Sequence, residues 1–309
     1  MEVLLRLLAM LALLLAGTAL RSREVLDARR TKRLNAVAYY GALPALVFVA
    51  TYDQAIEEIV SWELFVGVAV VLLVTVALAF AVNYNRGTDG RRSVAIIQSY
   101  HSNLGYLGVP LIAATFSSEV TAVASVILGI GALLQVPLTV FLLVSMNGPA
   151  QASLAPQLQS LVRNPVLAAL VAGLTIGWFQ FPVHSTATLA LDGLGSLALP
   201  LALLCVGASL DVDRPVTNLG TTASVVGLKL ACMPAVAWMV FLLLDVNAAT
   251  FTAGVVMLGM PTAVSTYVFA AELGGDAEFA SLNVFATTVF AVASLAVLIE
   301  LLARLGPAA

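Results

Sequence analysis

An all-α integral membrane fold, with ten transmembrane helices arranged as two inverted five-helix repeats, is what this sequence predicts. Three observations carry it. The 309-residue chain is 61% hydrophobic and only 10% charged, where soluble domains run about 45–50% apolar and about 25% charged. Its apolar stretches recur at about the 20-residue length that a helix needs to cross a bilayer. Two of those stretches carry helix-breaking clusters at corresponding places, 156 residues apart.

In chain order, spans fall near 3–20, 34–52, 64–85, 94–118, 120–146, 164–182, 186–210, 216–244, 248–271 and 279–303. The first opens Met-Glu-Val, and its basic residues follow the apolar run. A secretory signal has the opposite charge order and a small-residue cleavage site, so this stretch reads as a retained membrane helix. The second span carries Pro44 within Ala-Leu-Pro, and the third is an unbroken apolar run ending before Arg86. The fourth, uncharged from Val94 to Ser118, contains Asn103, Gly105, Gly108 and Pro110 near its middle. A lone Pro137 in the fifth asks for no more than a kink, and the longest linker, 147–163, follows with two prolines. Asn164-Pro165 opens the sixth span, the seventh repeats Ala-Leu-Pro, and the eighth holds Lys229 and a lone Pro234, again read as a kink. The ninth is interrupted at Gly259-Met260-Pro261-Thr262, and the tenth ends near Arg304.

Ala42-Leu43-Pro44-Ala45-Leu46 recurs as Ala198-Leu199-Pro200-Leu201-Ala202-Leu203, and the 156-residue spacing carries Gly105 onto Pro261. The chain therefore divides into a first repeat, 1–146, a cytoplasmic linker, 147–163, and a second repeat, 164–309. An odd number of spans per half makes the second copy enter from the opposite side. Orientation follows from Lys and Arg. Arg21, Arg23, Arg29, Arg30, Lys32, Arg33, Arg86, Arg91, Arg92, Arg163 and Arg214 all fall in loops on one side. That side is the cytoplasm, which places both termini outside the cytoplasmic membrane.

Proline removes a backbone donor, and glycine lowers helix stability by about 1 kcal/mol against alanine. In lipid, freed backbone groups are tolerated only where protein or a water-filled cavity covers them. Interrupted segments at matching places in two inverted halves thus point to a secondary transporter's binding site. Pro110 and Pro261 suit first-turn positions of the half-helices that follow. Those N-termini would present N–H groups and a positive dipole end to an anion such as a carboxylate. Asn103, Gly105, Tyr106, Thr262, Ser265 and Gln98 stand where they would supplement the site.

Lys229 lies near the centre of the eighth span, where a lysine costs about 2.5–3.5 kcal/mol on insertion scales. It serves a substrate charge, a coupling proton, or a structural pairing. Asp192, near the outer face, is a coupling carboxylate or a vestibule residue. His101 precedes the break and titrates near neutral pH when exposed, or is a hydrogen-bonded packing residue. His184 reads as a loop residue, and Cys205 and Cys232 as reduced packing residues. There is no basic nucleic-acid patch, and no catalytic triad order, Cys-x-x-Cys, zinc spacing or phosphate loop. An enzyme is not expected, nor a cofactor beyond a coupling ion, H+ or Na+.

Ser102-Asn103-Leu104-Gly105-Tyr106-Leu107-Gly108-Val109-Pro110-Leu111 resembles the fourth-helix signature of the auxin efflux carrier family. Arg163-Asn164-Pro165, the LPLALLCVGASL run, Lys229-Leu230 with Pro234, and MPTAVSTYVFAAELGGD fit the same pattern. The short linker resembles the compact prokaryotic members, among them proteins named for malonate and malate, more than the plant PIN-type carriers. This chain departs from the pattern at Ser196 and Ser265, where many relatives carry Asn, and at Thr262, in the place of a second proline.

The resemblance implies broken fourth and ninth helices that cross at their centres. It also implies a transport domain of helices 3–5 and 8–10 moving elevator-fashion against a scaffold of helices 1, 2, 6 and 7. A homodimer through helices 2 and 7 belongs to the same picture. The expected function is secondary active transport of a small organic acid anion, proton-coupled in some relatives. A sodium-coupled anion symporter, as in the related bile acid branch, is one alternative, and a membrane ligand sensor is another.

Overall fold

A computed structural model describes residues 2–148, 155–209 and 219–306. Arg214, the Arg6 side chain, the 210–218 connection and residues 149–154 of the expected linker lie outside the described residues. The helices are α1 Glu2–Ser22, α2 Ala28–Thr51, α3 Ile56–Ile59, α4 Trp62–Asn83, α5 Asp89–Tyr100, α6 Leu104–Thr115 and α7 Ser118–Asn147. They continue with α8 Ala155–Val162, α9 Pro165–Phe179, α10 Ser185–Ala208, α11 Leu219–Leu243, α12 Ala248–Leu258, α13 Ser265–Glu272 and α14 Ala277–Leu305.

Many helix starts are capped by a side chain in the way their sequence suggests. Asp27 accepts from the Arg30 backbone N–H at 2.7 Å, which holds its carboxyl below the usual range. Asn164 caps α9, accepting from Val166 and Leu167, with Pro165 in the first turn where its missing N–H costs nothing. Asn247 and Asp276 cap α12 and α14 in the same manner. His184, expected in a loop, is the N-cap of α10 and accepts from Thr186. The expected linker also carries a helix, α8.

Among the described residues, six helices are long and apolar enough to cross a membrane: α2, α4, α7, α10, α11 and α14. Shorter apolar helices lie at Ala9–Ser22, Leu104–Thr115, Pro165–Phe179 and Ala248–Leu258. Two expected spans, 94–118 and 248–271, are each divided in two: α5 from α6, and α12 from α13. The division has a chemical cause in the second case. Pro261 cannot donate to the preceding turn, and its ring disfavours helical dihedrals at Met260.

Three prolines do not divide their helices but widen them. Wide-turn π segments at Ala38–Ala42, Leu104–Gly108 and Leu228–Cys232 end two residues before Pro44, Pro110 and Pro234. A wider turn accommodates the missing donor and the ring clash that proline brings. Pro234 thus does more than the kink expected of it, whereas Pro137 sits inside α7 without such a segment.

The chain forms two compact units. One comprises 1–61, 105–129 and 162–210, the other 62–104, 130–161 and 211–309. In the first, α1 meets the second half of α10 at backbone distance, which only small residues permit. A Cβ added at Gly17 would strike the Leu204 carbonyl oxygen, and one at Gly207 the Leu14 carbonyl oxygen. Thr18 Oγ1 donates to the Gly207 carbonyl at 2.9 Å across the same contact. In the second unit the fully buried ring of Phe241 on α11 lies against Gly67 of α4 and Gly254 of α12, and Trp238 meets Phe251 edge-on.

Gly207→Val is expected to lower the melting temperature of the purified protein, because overpacking of this kind costs about 1–3 kcal/mol. Gly193→Ala, where an added Cβ meets nothing within 4 Å, should leave it unchanged or slightly higher. Scanning fluorimetry in detergent measures both, and an equal response to the two substitutions would contradict the close contact.

Candidate functional site

Within the second unit the two chain breaks meet. His101, Ser102 and Asn103 leave the end of α5 in extended conformation, and Pro261, Thr262 and Ala263 do the same after α12. The two stretches run antiparallel, with Ser102 opposite Thr262. Asn103 N–H donates to the Pro261 carbonyl at 2.8 Å, and Ala263 N–H to the His101 carbonyl at 3.0 Å. Ser102 and Thr262 are therefore the non-hydrogen-bonded pair of a short ladder, the arrangement that brings side chains closest.

A helix ending inside protein leaves carbonyls without intrahelical donors. Here each break caps the helix of the other. Thr262 Oγ1 donates to the Gln98 carbonyl of α5 at 2.7 Å, and Ser102 Oγ donates to the Leu258 carbonyl of α12 at 3.3 Å. Each hydroxyl thus reaches the carbonyl four residues before its opposite number. The symmetry fails at one place. Leu258 also accepts from Lys229 Nζ at 2.8 Å, and Nζ lies 3.1 Å from Met233 Sδ. Lys229 is fully buried in the π segment of α11, and a cationic group is favoured at a helix C-terminus. Among the described residues no carboxylate pairs with it.

Two further helices complete the polar cluster. From α7, Gln135 Oε1 accepts the Ser102 N–H at 2.8 Å, and Thr139 Oγ1 lies 2.8 Å from both Tyr100 Oη and His101 Nδ1. From α14, Asn283 Nδ2 donates to Gln98 Oε1 at 2.9 Å, and Thr287 Oγ1 accepts the Thr262 N–H at 3.3 Å. Gln98 Nε2 donates to Thr266 Oγ1 and to the Ala280 carbonyl, both at 2.9 Å. Every one of these side chains is at least nine-tenths buried.

The structure gathers Asn103, Pro261, Thr262, Lys229 and His101 in or beside the crossing. Pro261 is not in the first turn of α13, which begins at Ser265. It stands in the extended break, where its missing N–H is not called on and its carbonyl is the acceptor for Asn103. Pro110 does occupy the first turn of regular helix, yet the helix restarts earlier, at Leu104, through the π segment. Thr262 and Gln98 are already bonded to the protein, Ser265 is exposed, and His101 is buried against Thr139. Gly105, Tyr106, Pro110 and Asp192 belong to the first unit, where Tyr106 stacks on Tyr39 at 6.2 Å and Asp192 is exposed. Sequence reasoning passed over Ser102, Gln135, Thr139, Asn283 and Thr287. A glutamine two residues before a mid-helix proline, and an asparagine within an apolar run, were the available signals, since a polar side chain in such a place needs a partner.

The family model described as membrane transport protein matches residues 2–299. An uncharacterized transporter of Methanothermobacter thermautotrophicus is 26% identical over 293 residues, covering 93% of this chain and 94% of the relative. A protein of Rhizobium meliloti whose name proposes malonate transport is 23% identical over 279 residues, covering 87% and 86%.

Thr262→Val should cost about 1–3 kcal/mol, because the buried Gln98 carbonyl loses its donor while the Ser102 N–H is turned to Gln135. Ser102→Ala should cost less, since Leu258 keeps Lys229. Chemical or thermal unfolding of both variants ranks them, and the reverse order would refute mutual capping.

Proposed function

The chain belongs to the membrane transport protein family, the family of the auxin efflux carriers, and on that premise we propose that it is a secondary active carrier of a small organic acid anion. It is a multi-pass membrane protein. The observation that supports the carrier reading best is the crossing itself. Two helices are interrupted at the same level of the fold, and about a dozen buried polar groups are drawn to one point of otherwise apolar helices. Irregular backbone in a membrane protein belongs where protein or a cavity covers it, and interrupted helices are how carriers of this architecture build a substrate site.

In this reading Asn103 and the start of α13, with Ser265 and Thr262, hold the carboxylate of the substrate, and Lys229 offsets its charge or carries a coupling proton. The relative whose name proposes malonate transport makes small mono- and dicarboxylates the first compounds to try. Alternating access is of the elevator type, with helices 3–5 and 8–10 as the mobile body. Of these, α4, α5 and α11 to α14 fall in the second unit, whereas residues 105–129, α6 and the first part of α7, fall in the first. Ten spans with both termini outside the cytoplasmic membrane, and a homodimer through the second and seventh spans, complete the proposal.

Uptake of radiolabelled malonate, pyruvate and succinate into proteoliposomes tests it. The expected result is accumulation of at least one of them, driven by a proton gradient and indifferent to sodium. Asn103→Ala and Lys229→Ala should each reduce uptake about tenfold or more, as loss of a hydrogen bond to a charged group does. Accumulation that requires sodium would favour a sodium symporter, and binding without flux would make the protein a sensor.

A further inference from the structure

Among the described residues, three buried side-chain atoms of the second unit have no partner, Gln135 Nε2, Thr222 Oγ1 and Asn283 Oδ1, and the first is the one amide nitrogen among them. Gln135 is 1% exposed, and its Oε1 is taken by the Ser102 N–H at 2.8 Å. That bond fixes the sense of the amide, because a backbone N–H can bond to the oxygen but not to the NH2. Gln135 Nε2 is consequently held with both of its donors unpaired, and no described residue accepts from it. The position is reserved by Gly131, one turn earlier on α7. A Cβ there would come within 3.0 Å of Nε2 and would strike Leu104 Cδ1 as well. The unpaired amide therefore stands beside Leu104, the residue that starts the twelve-residue α6, immediately after Asn103. Native proteins seldom bury a donor without an acceptor unless something else supplies one.

We propose that Gln135 Nε2 is a ligand for a carboxylate oxygen of the transported anion, placed by the same Ser102 N–H that ties α7 to the crossing. The assignment rests on the carrier reading above and adds a contact on α7 to it. Two N–H donors on one nitrogen, backed by no formal charge, suit a carboxylate oxygen and offer nothing to a cation. The amide is also coupled to the crossing, since any movement of Ser102 moves Gln135 with it.

Gln135→Glu is the sharpest test, because it keeps an oxygen for the Ser102 N–H and replaces the two donors by an acceptor. Gln135→Met removes the donors without adding charge, and it serves as a second variant should the first fail to insert. The full-length protein is reconstituted with radiolabelled malonate, pyruvate and succinate as probes, KM and kcat for uptake are separated, and the melting temperature without ligand is recorded. The expected result is a KM raised about tenfold or more in either variant that folds, with Gln135→Met, which also deprives the Ser102 N–H of its acceptor, melting below the wild type and Gln135→Glu, which keeps that acceptor, melting closer to it. Wild-type uptake with an unchanged KM in a folded variant overturns the role of Gln135 and leaves the carrier reading standing. Wild-type protein that takes up none of the three probes overturns the carrier reading, and this assignment with it.

Discussion

The second unit depends on two backbone hydrogen bonds, from Asn103 to Pro261 and from Ala263 to His101. They are all the ladder there is among the described residues, and they join residues 158 and 162 positions apart. Their weight comes from their surroundings. In apolar material an unpaired N–H or carbonyl costs far more than a made bond gains, so a helix cannot simply stop there. It stops only where another segment supplies what the next turn would have given. Each broken helix here finds those partners in the other, and neither break is tenable alone.

The side chains around the crossing follow from the same accounting. Ser102 and Thr262 take the places of the missing turns, Gln135 receives the amide that α5 no longer uses, and Thr287 receives that of Thr262. The one basic side chain goes to the carboxyl end of α12, where the dipole favours it. The result is a polar point among apolar helices, built from amides and hydroxyls with Lys229 and His101. Such a set can meet an anion without exposing a large charge of its own. The first unit is made differently, from close helix contacts at glycine, and among the described residues it carries fewer buried polar groups.

Much of this was legible in the amino-acid order. The break at Gly259–Ser265 follows from Pro261, and the capping role of Asn164 before Pro165 is local chemistry, whereas the break in the fourth span falls at His101–Asn103, ahead of the helical Gly105–Pro110 cluster. What could not be read is what depends on a distant partner. Nothing near Lys229 says that Leu258 accepts from it, and nothing near Pro261 says that its carbonyl is the acceptor for Asn103. The spacing of the Ala-Leu-Pro repeats matches Gly105 to Pro261 along the chain but does not say which residues face one another, and the ladder pairs Ser102 with Thr262. Register in so short a ladder is fixed by hydroxyls finding carbonyls across the crossing, and hydropathy does not carry that information. The widened turns before Pro44, Pro110 and Pro234 were equally hidden, because a proline alone does not distinguish a kink from a π segment.

The most direct measurement of the central claim is a disulfide across the crossing. Residues facing one another in a non-hydrogen-bonded antiparallel pair have Cα atoms about 4.5 Å apart, within the range a disulfide spans. In a background with Cys205 and Cys232 replaced, Ser102→Cys and Thr262→Cys together should form an intramolecular disulfide on mild oxidation in membranes, read by mass spectrometry of the peptides. Near-complete formation is expected. A pair that stays reduced under oxidant, in protein that melts cooperatively, would mean that the two breaks do not cross at these residues.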